Sequence, residues 1–307
     1  MRNTFSRELL KIIAEEQGRN ESRTWLMSGD LGFSAFEAIR ETGRFINAGI
    51  SEQNMIGVAS GMAKEGKNVF VYSIIPFLLY RTFEQIRNDV CYPNLPVRLV
   101  GTGAGLSYSD AGATHHPLED LKVADSLPSM TVLSPSDPKE VEAFMRLLKG
   151  VKGPIYLRLA RNGDPVLHDR HGSMAIGKAL RLVKGSKVLI VSTGIVTKTA
   201  LEVAGMLNSE DDGIAEVIEI HTFKPFDSEA VRSAAKGKDI VATIEDNTGA
   251  LENKVAVSIA GLQEQKFISF KLPDQFTHIS GTKEYLFEAY GMGPRDVFNR
   301  IKGLLDE

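Results

Sequence analysis

"RFINAGISEQNMIGVASGMAKEGKNVFVYSI" (Arg44–Ile74) holds a complete strand–helix–strand unit. "RFINAGI" reads as a short buried strand, and "NVFVYSI" at 68–74 as a second one, rich in the β-branched and aromatic residues that strands favour. Between them Met55, Val58, Ala59, Met62 and Ala63 recur at helical spacing, which predicts a helix over 51–65 with one face on a core. Strands joined through a helix run parallel. A carboxylate, Glu52, stands where the first strand hands over to this helix. Two readings of it are open here. Ser51 is a good N-cap and an acid in the first turn suits the helix dipole, so Glu52 can be a capping charge. The C-terminal ends of parallel strands are also where ligands bind, so Glu52 can be functional.

The same alternation continues on both sides. "RTWLMSGD", "LPVRLVGTGA", "SMTVLSP" and "GPIYLRLA" read as further strands, and 77–90, 117–127 and 137–149 as helices. A second series follows a stretch rich in Gly, His, Asp and Arg. It contains strands "KVLIVST", "AEVIEIHTF", "DIVATIED" and "FISFKLP", helices at 196–208, 227–235 and 249–262, and two helices toward the C-terminus. The expected fold is α/β with two doubly wound domains, 1–165 and 187–307, joined by a linker over 166–186. No short repeat or low-complexity segment interrupts them.

Composition narrows the function class. The 307 residues are 43% hydrophobic and 24% charged, with a formal net charge of −3. That balance offers no basic face for nucleic acid or anionic lipid. The longest apolar run, "NVFVYSIIPFLLY", is too short to span a bilayer and contains Pro76. "MRNTFSRELLKIIAEEQ" reads as an amphipathic helix and lacks a signal-peptide apolar core. A single cysteine, Cys91, fits a reducing, cytoplasmic setting and reads as a buried filler. Along the expected rim of strand ends fall Asp30, Glu52, the segment Ser73–Phe77, the loop 101–117 and Arg161. An acid, an aromatic, two histidines and an arginine converge there.

These residues carry a family resemblance. "GISEQNM", "EQIRNDVCYPNLPV" and "YSDAGATHHP" resemble the pyrimidine-binding domain of transketolases. "VLIVSTGIVTKTALEVAGML", "VIEIHTFKPFD" and "ATIEDNTGAL" are similar to their C-terminal domain. A full transketolase also carries a diphosphate-binding domain with a "GDG" motif and a following Asn as magnesium ligands. Here "GD" occurs only in "GDL" (29–31) and "GDP" (163–165). The resemblance therefore implies one subunit of a split, thiamine-diphosphate-dependent transketolase, transferring a two-carbon ketol unit from a ketose to an aldose. It implies a diphosphate-binding partner chain that holds Mg2+, and an α2β2 heterotetramer. Related domains in deoxyxylulose phosphate synthase and in the beta chains of 2-oxoacid dehydrogenases keep a decarboxylating enzyme as an alternative. A non-catalytic scaffold subunit is the alternative of another class.

The resemblance assigns roles residue by residue. Glu52 becomes the acid that hydrogen-bonds N1′ of the thiamine aminopyrimidine, a contact that favours the tautomer needed to activate the thiazolium. Phe77 falls where an aromatic ring stacks on the pyrimidine, although core packing accounts for it equally. Tyr80, one turn on, borders the same ring, and Asp30 belongs to a "DL" element near the cofactor. His115 matches the histidine that faces the substrate, with His116 beside it in place of a Gln. Arg161 matches the arginine that grips the substrate phosphate. Two departures stand out: Ala111 replaces an acid that reads sugar hydroxyls, with Asp110 one step earlier, and Gly103 replaces a phosphate-site histidine. They imply an enlarged site for a non-standard sugar.

Overall fold

The computed structural model describes residues 1–21, 23–32, 34–161, 163–262 and 265–307. Six strands run parallel in the first sheet: β1 (Thr24–Ser28), β2 (Phe45–Asn47), β3 (Asn68–Ile74), β4 (Val97–Thr102), β5 (Thr131–Leu133) and β6 (Ile155–Leu159). The second half adds β7 (Leu180–Val183), β8 (Val188–Ser192), β9 (Ala215–Glu219), β10 (Thr222–Lys224), β11 (Ile240–Ile244) and β12 (Lys266–Phe270). Strand order is β10-β5-β6-β4-β3-β1-β2 in one sheet and β12-β11-β8-β9-β7 in the other.

Both faces of each sheet are covered. On β3, Phe70 and Tyr72 enter one hydrophobic core while Val69 and Val71 enter the other. That is why the strands read as nearly continuous apolar runs. The helix Arg2–Gly18 buries Phe5, Leu9 and Ile13 against the first core, as its periodicity predicts. Among the described residues, no helix is long and apolar enough to cross a membrane.

Three details depart from the sequence reading. The stretch "AEVIEIHTF" is not one strand: it breaks after Glu219, and β10 crosses over to pair antiparallel with β5 of the first sheet. The two halves thus share a sheet. The expected linker contains β7, an antiparallel edge strand on β9. The helix Glu52–Lys64 buries Met55, Ile56, Ala59 and Ala63, but Val58 points outward and is 41% exposed.

A buried polar seam fixes the halves further. Arg158 on β6 reaches Asp120 at 2.7 Å and Asp246 at 2.9 Å, and the Asn247 side-chain amide donates to Asp120 at 2.9 Å. All four side chains are essentially sealed from water. Two carboxylates around one guanidinium hold Arg158 protonated well above its ordinary range despite burial.

Candidate active site

The order of the first sheet reverses between β1 and β3, because β2 lies outside β1 while the later strands build the other way. Crevices for ligands form at such reversals, beyond the C-terminal strand ends. Glu52 sits in this one. A Cβ on Gly29, just past β1, would lie 3.4 Å from Glu52 Oε1, so glycine lets the carboxylate lie against the strand end. Ser73, near the end of β3, donates its hydroxyl to Glu52 Oε1 at 3.3 Å. Glu52 is 3% exposed.

Capping does not explain it. Ser51 makes no side-chain cap; its hydroxyl donates instead to the Ala48 carbonyl. The Glu52 carboxylate goes to Arg81, whose Nη1 lies 2.6 Å from Oε2. Arg81 in turn lies 4.8 Å above the Phe77 ring. Both residues belong to a region that the sequence reads as one regular helix. In the structure Pro76–Tyr80 and Ile86–Cys91 are wound as π-helix, with Arg81 N–H reaching back to the Pro76 carbonyl. Such widened turns redirect side chains and recur at functional sites.

From Phe77 the contacts continue along the rim. The Phe77 and His115 rings meet edge to face with centroids 5.3 Å apart. His115 meets the Tyr108 ring at 6.0 Å, and Arg161 lies 4.9 Å over Tyr108. Arg161 Nη1 also faces Asp110 at 3.3 Å, in a pair open to solvent. The loop carrying Tyr108, Asp110 and His115 is anchored at its start, where Gly103 and Ala104 N–H groups both donate to the Leu159 carbonyl at the end of β6. Glu52, Arg81, Phe77, His115, Tyr108, Arg161 and Asp110 therefore form one continuous line of side-chain contacts. Asp30 stands on the same rim, exposed, accepting from the Asn47 amide at 3.0 Å.

Other expected site residues are placed differently. Tyr80 gives its hydroxyl to Glu119 at 3.0 Å, and burial beside that acid pushes the phenol far up. His116 is 4% exposed, with Nδ1 2.6 Å from the Thr277 hydroxyl and Nε2 2.8 Å from the Tyr108 carbonyl. Both ring nitrogens are occupied within the chain, so His116 pins the loop to the second half and offers nothing to a substrate. Burial lowers its pKa and favours the neutral ring. Gly103 leaves no vacancy either: at φ +94°, a Cβ there would lie 2.3 Å from the Tyr108 ring. Tyr108 fills the space that Gly103 was expected to open. Cys91 is buried, and its thiol is pushed up to about 11, which makes it a poor nucleophile. Sequence reasoning missed Tyr108, and left Arg81 as a residue that could equally be structural or lie at a subunit interface.

Comparison with known proteins names this arrangement. Residues 6–163 match the model of the transketolase pyrimidine-binding domain, and residues 177–297 that of the transketolase C-terminal domain. The chain belongs to the transketolase family. A Methanocaldococcus jannaschii protein described as a transketolase C-terminal section is 37% identical over 264 residues, spanning 84% of this chain and 82% of that protein. A Clostridium 6-deoxy-6-sulfo-D-fructose transketolase subunit is 34% identical, spanning 83% of this chain and 79% of its own length. Among solved structures, a split-gene transketolase described as an inactive β4 tetramer superposes with a TM-score of 0.85 at 32% identity, covering 99% of this chain and 98% of its own. This transketolase-family chain therefore matches a split-gene transketolase chain over nearly its whole length and the two sequence relatives over about four fifths of theirs.

The residues present fit the aminopyrimidine of thiamine diphosphate. Among the described residues each buried Glu52 oxygen meets one side-chain donor, Ser73 at Oε1 and Arg81 at Oε2, so the carboxylate can also accept from a ring N–H. The half-buried Phe77 ring offers a surface for stacking.

Proposed function

We propose that this chain is the half of a two-chain transketolase that holds the cofactor's aminopyrimidine and the substrate's sugar chain, and that its donor is not one of the common pentose phosphates. The observation that carries the reading is the contact line from buried Glu52 to Arg161, which sets a proton-exchanging acid, an aromatic face, a histidine and a cation in sequence along one strand-end crevice. Thiamine diphosphate supplies the nucleophilic carbon that carries the two-carbon unit. Glu52 holds or moves the proton at the pyrimidine ring nitrogen. Phe77, backed by Arg81, orients that ring. His115, at the edge of Phe77, faces the sugar and exchanges a proton with its hydroxyls. Asp30 stands near the cofactor on the rim, and Arg161 and Asp110 meet the far end of the sugar.

The diphosphate and Mg2+ fall to the partner chain, in an α2β2 assembly, and the lone buried Cys91 suits a cytoplasmic enzyme. Two features support a specialised sugar. Asp110 partly neutralises Arg161, which weakens the grip on a phosphate. Relatives include the sulfofructose enzyme subunit and a Phocaeicola vulgatus apulose-4-phosphate transketolase subunit, the latter 30% identical over 253 residues.

The test is reconstitution with the partner chain. The mixture is expected to bind thiamine diphosphate with Mg2+ and to turn over a branched, deoxy or sulfonated ketose better than xylulose 5-phosphate, without releasing carbon dioxide. Carbon dioxide release from pyruvate would move the assignment to the synthase class. Strong Mg2+-dependent cofactor binding by the isolated chain would overturn the two-chain reading.

A further inference from the structure

Away from the rim, where the linker crosses between the halves, lies a group of ionisable side chains that the reaction does not use. Glu140 comes from the helix Pro138–Leu147, Glu219 from the end of β9, and His168 from the linker. Both glutamates are fully buried. His168 Nε2 lies 3.2 Å from Glu140 Oε1 and 3.4 Å from Glu219 Oε2. Neither oxygen of Glu219 reaches hydrogen-bonding geometry with any described residue. With the His168 ring 3.4 Å away as its ion partner, this sealed carboxylate is under-bonded, which is costly and calls for an explanation.

We propose that Glu140, His168 and Glu219 form a binding site for one divalent transition-metal ion, with Zn2+ the ion that the donor set fits, clasping the linker to both halves of the chain. Three arguments carry it. The three ligand atoms lie within 4.8 Å of one another. Zn–N and Zn–O bonds of about 2.0–2.2 Å in a tetrahedron put neighbouring ligand atoms roughly 3.4 Å apart, and the two His168 separations match that edge. The 3.2 Å contact to Glu140 is also a hydrogen bond in the metal-free chain, longer than the about 2.7–2.9 Å of most charge-assisted N–H···O bonds. Charge agrees once a proton leaves. Against the effect of burial, Glu140 and Glu219 push His168 up to about 10. Zinc that displaces this proton meets two carboxylates and a neutral imidazole, whose −2 a dication cancels. Burial and the nearby Glu140 charge push Glu219 toward its protonated form, the strain that such an ion relieves. An imidazole among the donors favours zinc over Mg2+.

A neighbouring pair sits beside the site. His171 stacks on His168 with ring centroids 4.3 Å apart, and its Nε2 meets Asp137 Oδ2 at 3.1 Å. Asp137 is committed elsewhere, capping its helix through the Lys139 and Glu140 N–H groups and accepting from Leu167 N–H, so it is a poor fourth ligand. A water completes the set. Uptake carries one local cost. His168 Nδ1 faces the Arg170 backbone N–H at 3.1 Å, and a protonated or zinc-bound imidazole carries a proton on that nitrogen, so the contact gives way. Arg170 is exposed, so water can take over its N–H.

The experiment is independent of the transferase reading. Tag-free full-length chain is stripped with a chelator, then titrated with zinc sulfate by calorimetry and with cobalt(II) by visible absorption. One equivalent of zinc is expected with submicromolar affinity, together with a tetrahedral cobalt band and a melting temperature raised by several degrees. Glu219→Gln and His168→Asn are each expected to weaken zinc at least tenfold, while Asp137→Asn leaves it within a few fold. No uptake by the stripped wild-type chain would overturn the site and leave a proton shared among the three groups. Uptake unchanged in both ligand variants would place the metal elsewhere and overturn it equally.

Discussion

Glu52→Gln and Arg81→Ala act on the two ends of one 2.6 Å contact, and the structure expects opposite outcomes. Arg81 is 42% exposed, so the ion pair as such is worth no more than about 1 kcal/mol after solvent screening. The larger consequence of Arg81→Ala is a carboxylate that is buried in the parent and keeps, among the described residues, the Ser73 hydroxyl at 3.3 Å as its side-chain donor. Leaving such a group under-bonded costs about 1–3 kcal/mol. That corresponds to a fall of roughly 1.5 °C in melting temperature per kcal/mol lost for a chain of 307 residues. Glu52→Gln keeps the shape and one acceptor oxygen, which can face Arg81. Its amide N–H2 then faces Ser73, whose hydroxyl can turn to accept, so stability is expected to stay within about 1 kcal/mol of the parent. Activity should sort the other way. A glutamine cannot exchange a proton with the pyrimidine, and loss of such a group typically costs about a hundredfold or more. Arg81→Ala retains the carboxyl and is expected to lose far less. Turnover of the reconstituted complex and thermal denaturation of each variant make the comparison. An active Glu52→Gln enzyme that melts early would return Glu52 to a purely structural role.

The remaining expectations concern the sugar end and the pinning of its loop. Asp110→Asn frees Arg161 from an exposed pair worth about 0.2–1 kcal/mol, so KM for a phosphorylated ketose should fall about two- to fivefold; a rise instead would show that Asp110 reads the sugar directly. Gly103→Ala places a methyl 2.3 Å from the Tyr108 ring in a left-handed backbone, and should lower stability by about 1 kcal/mol or more and weaken sugar binding; unchanged KM values would remove Tyr108 from the site. His116 is held neutral by burial, with His115 and Asp110 the nearby charges, so the unfolded chain binds its proton first as pH falls. Its contribution is complete above about pH 6.5 and fades below it, so the parent should lose more stability than His116→Asn between pH 7 and 5.5. Parallel melting curves for the two would show that the pinning of the loop to the second half does not sense this ring.

Much of the architecture was legible because its signals are local and periodic. A strand buried on both faces writes itself as an unbroken apolar run, and its helix as a 3.6-residue stripe. Every strand read in the first half appears in the structure. What stayed hidden depends on partners distant in sequence. The break after Glu219 cannot be seen within "AEVIEIHTF", since what bends the chain is the pairing of Thr222 and Lys224 with β5, some ninety positions away. Leu180–Val183 reads as linker because an edge strand with one exposed face carries little apolar signal. Val58 follows the helical stripe and still points outward, so periodicity alone overcounts the core.

The candidate site divides along the same line. Its rim was foreseeable, because parallel strand ends converge whatever the side chains, and Asp30, Glu52, Phe77, His115 and Arg161 all lie on it. The direction of a loop side chain has no period, and His115 and His116 show the consequence. They are adjacent and chemically identical in the sequence, yet one edges the Phe77 ring and the other is locked between Thr277 and the Tyr108 carbonyl. The locked ring determines where the loop sits, and the loop determines where its neighbour points. Arg81 could not be given a role for a related reason: the sequence reads its segment as a regular helix, whereas a widened π turn delivers its guanidinium to both Glu52 and Phe77. The acid at the strand end is thus held by a residue that its own segment does not reveal. A chain that keeps Glu52 but loses the winding around Pro76–Tyr80 would retain the motif and lose the geometry that makes it useful.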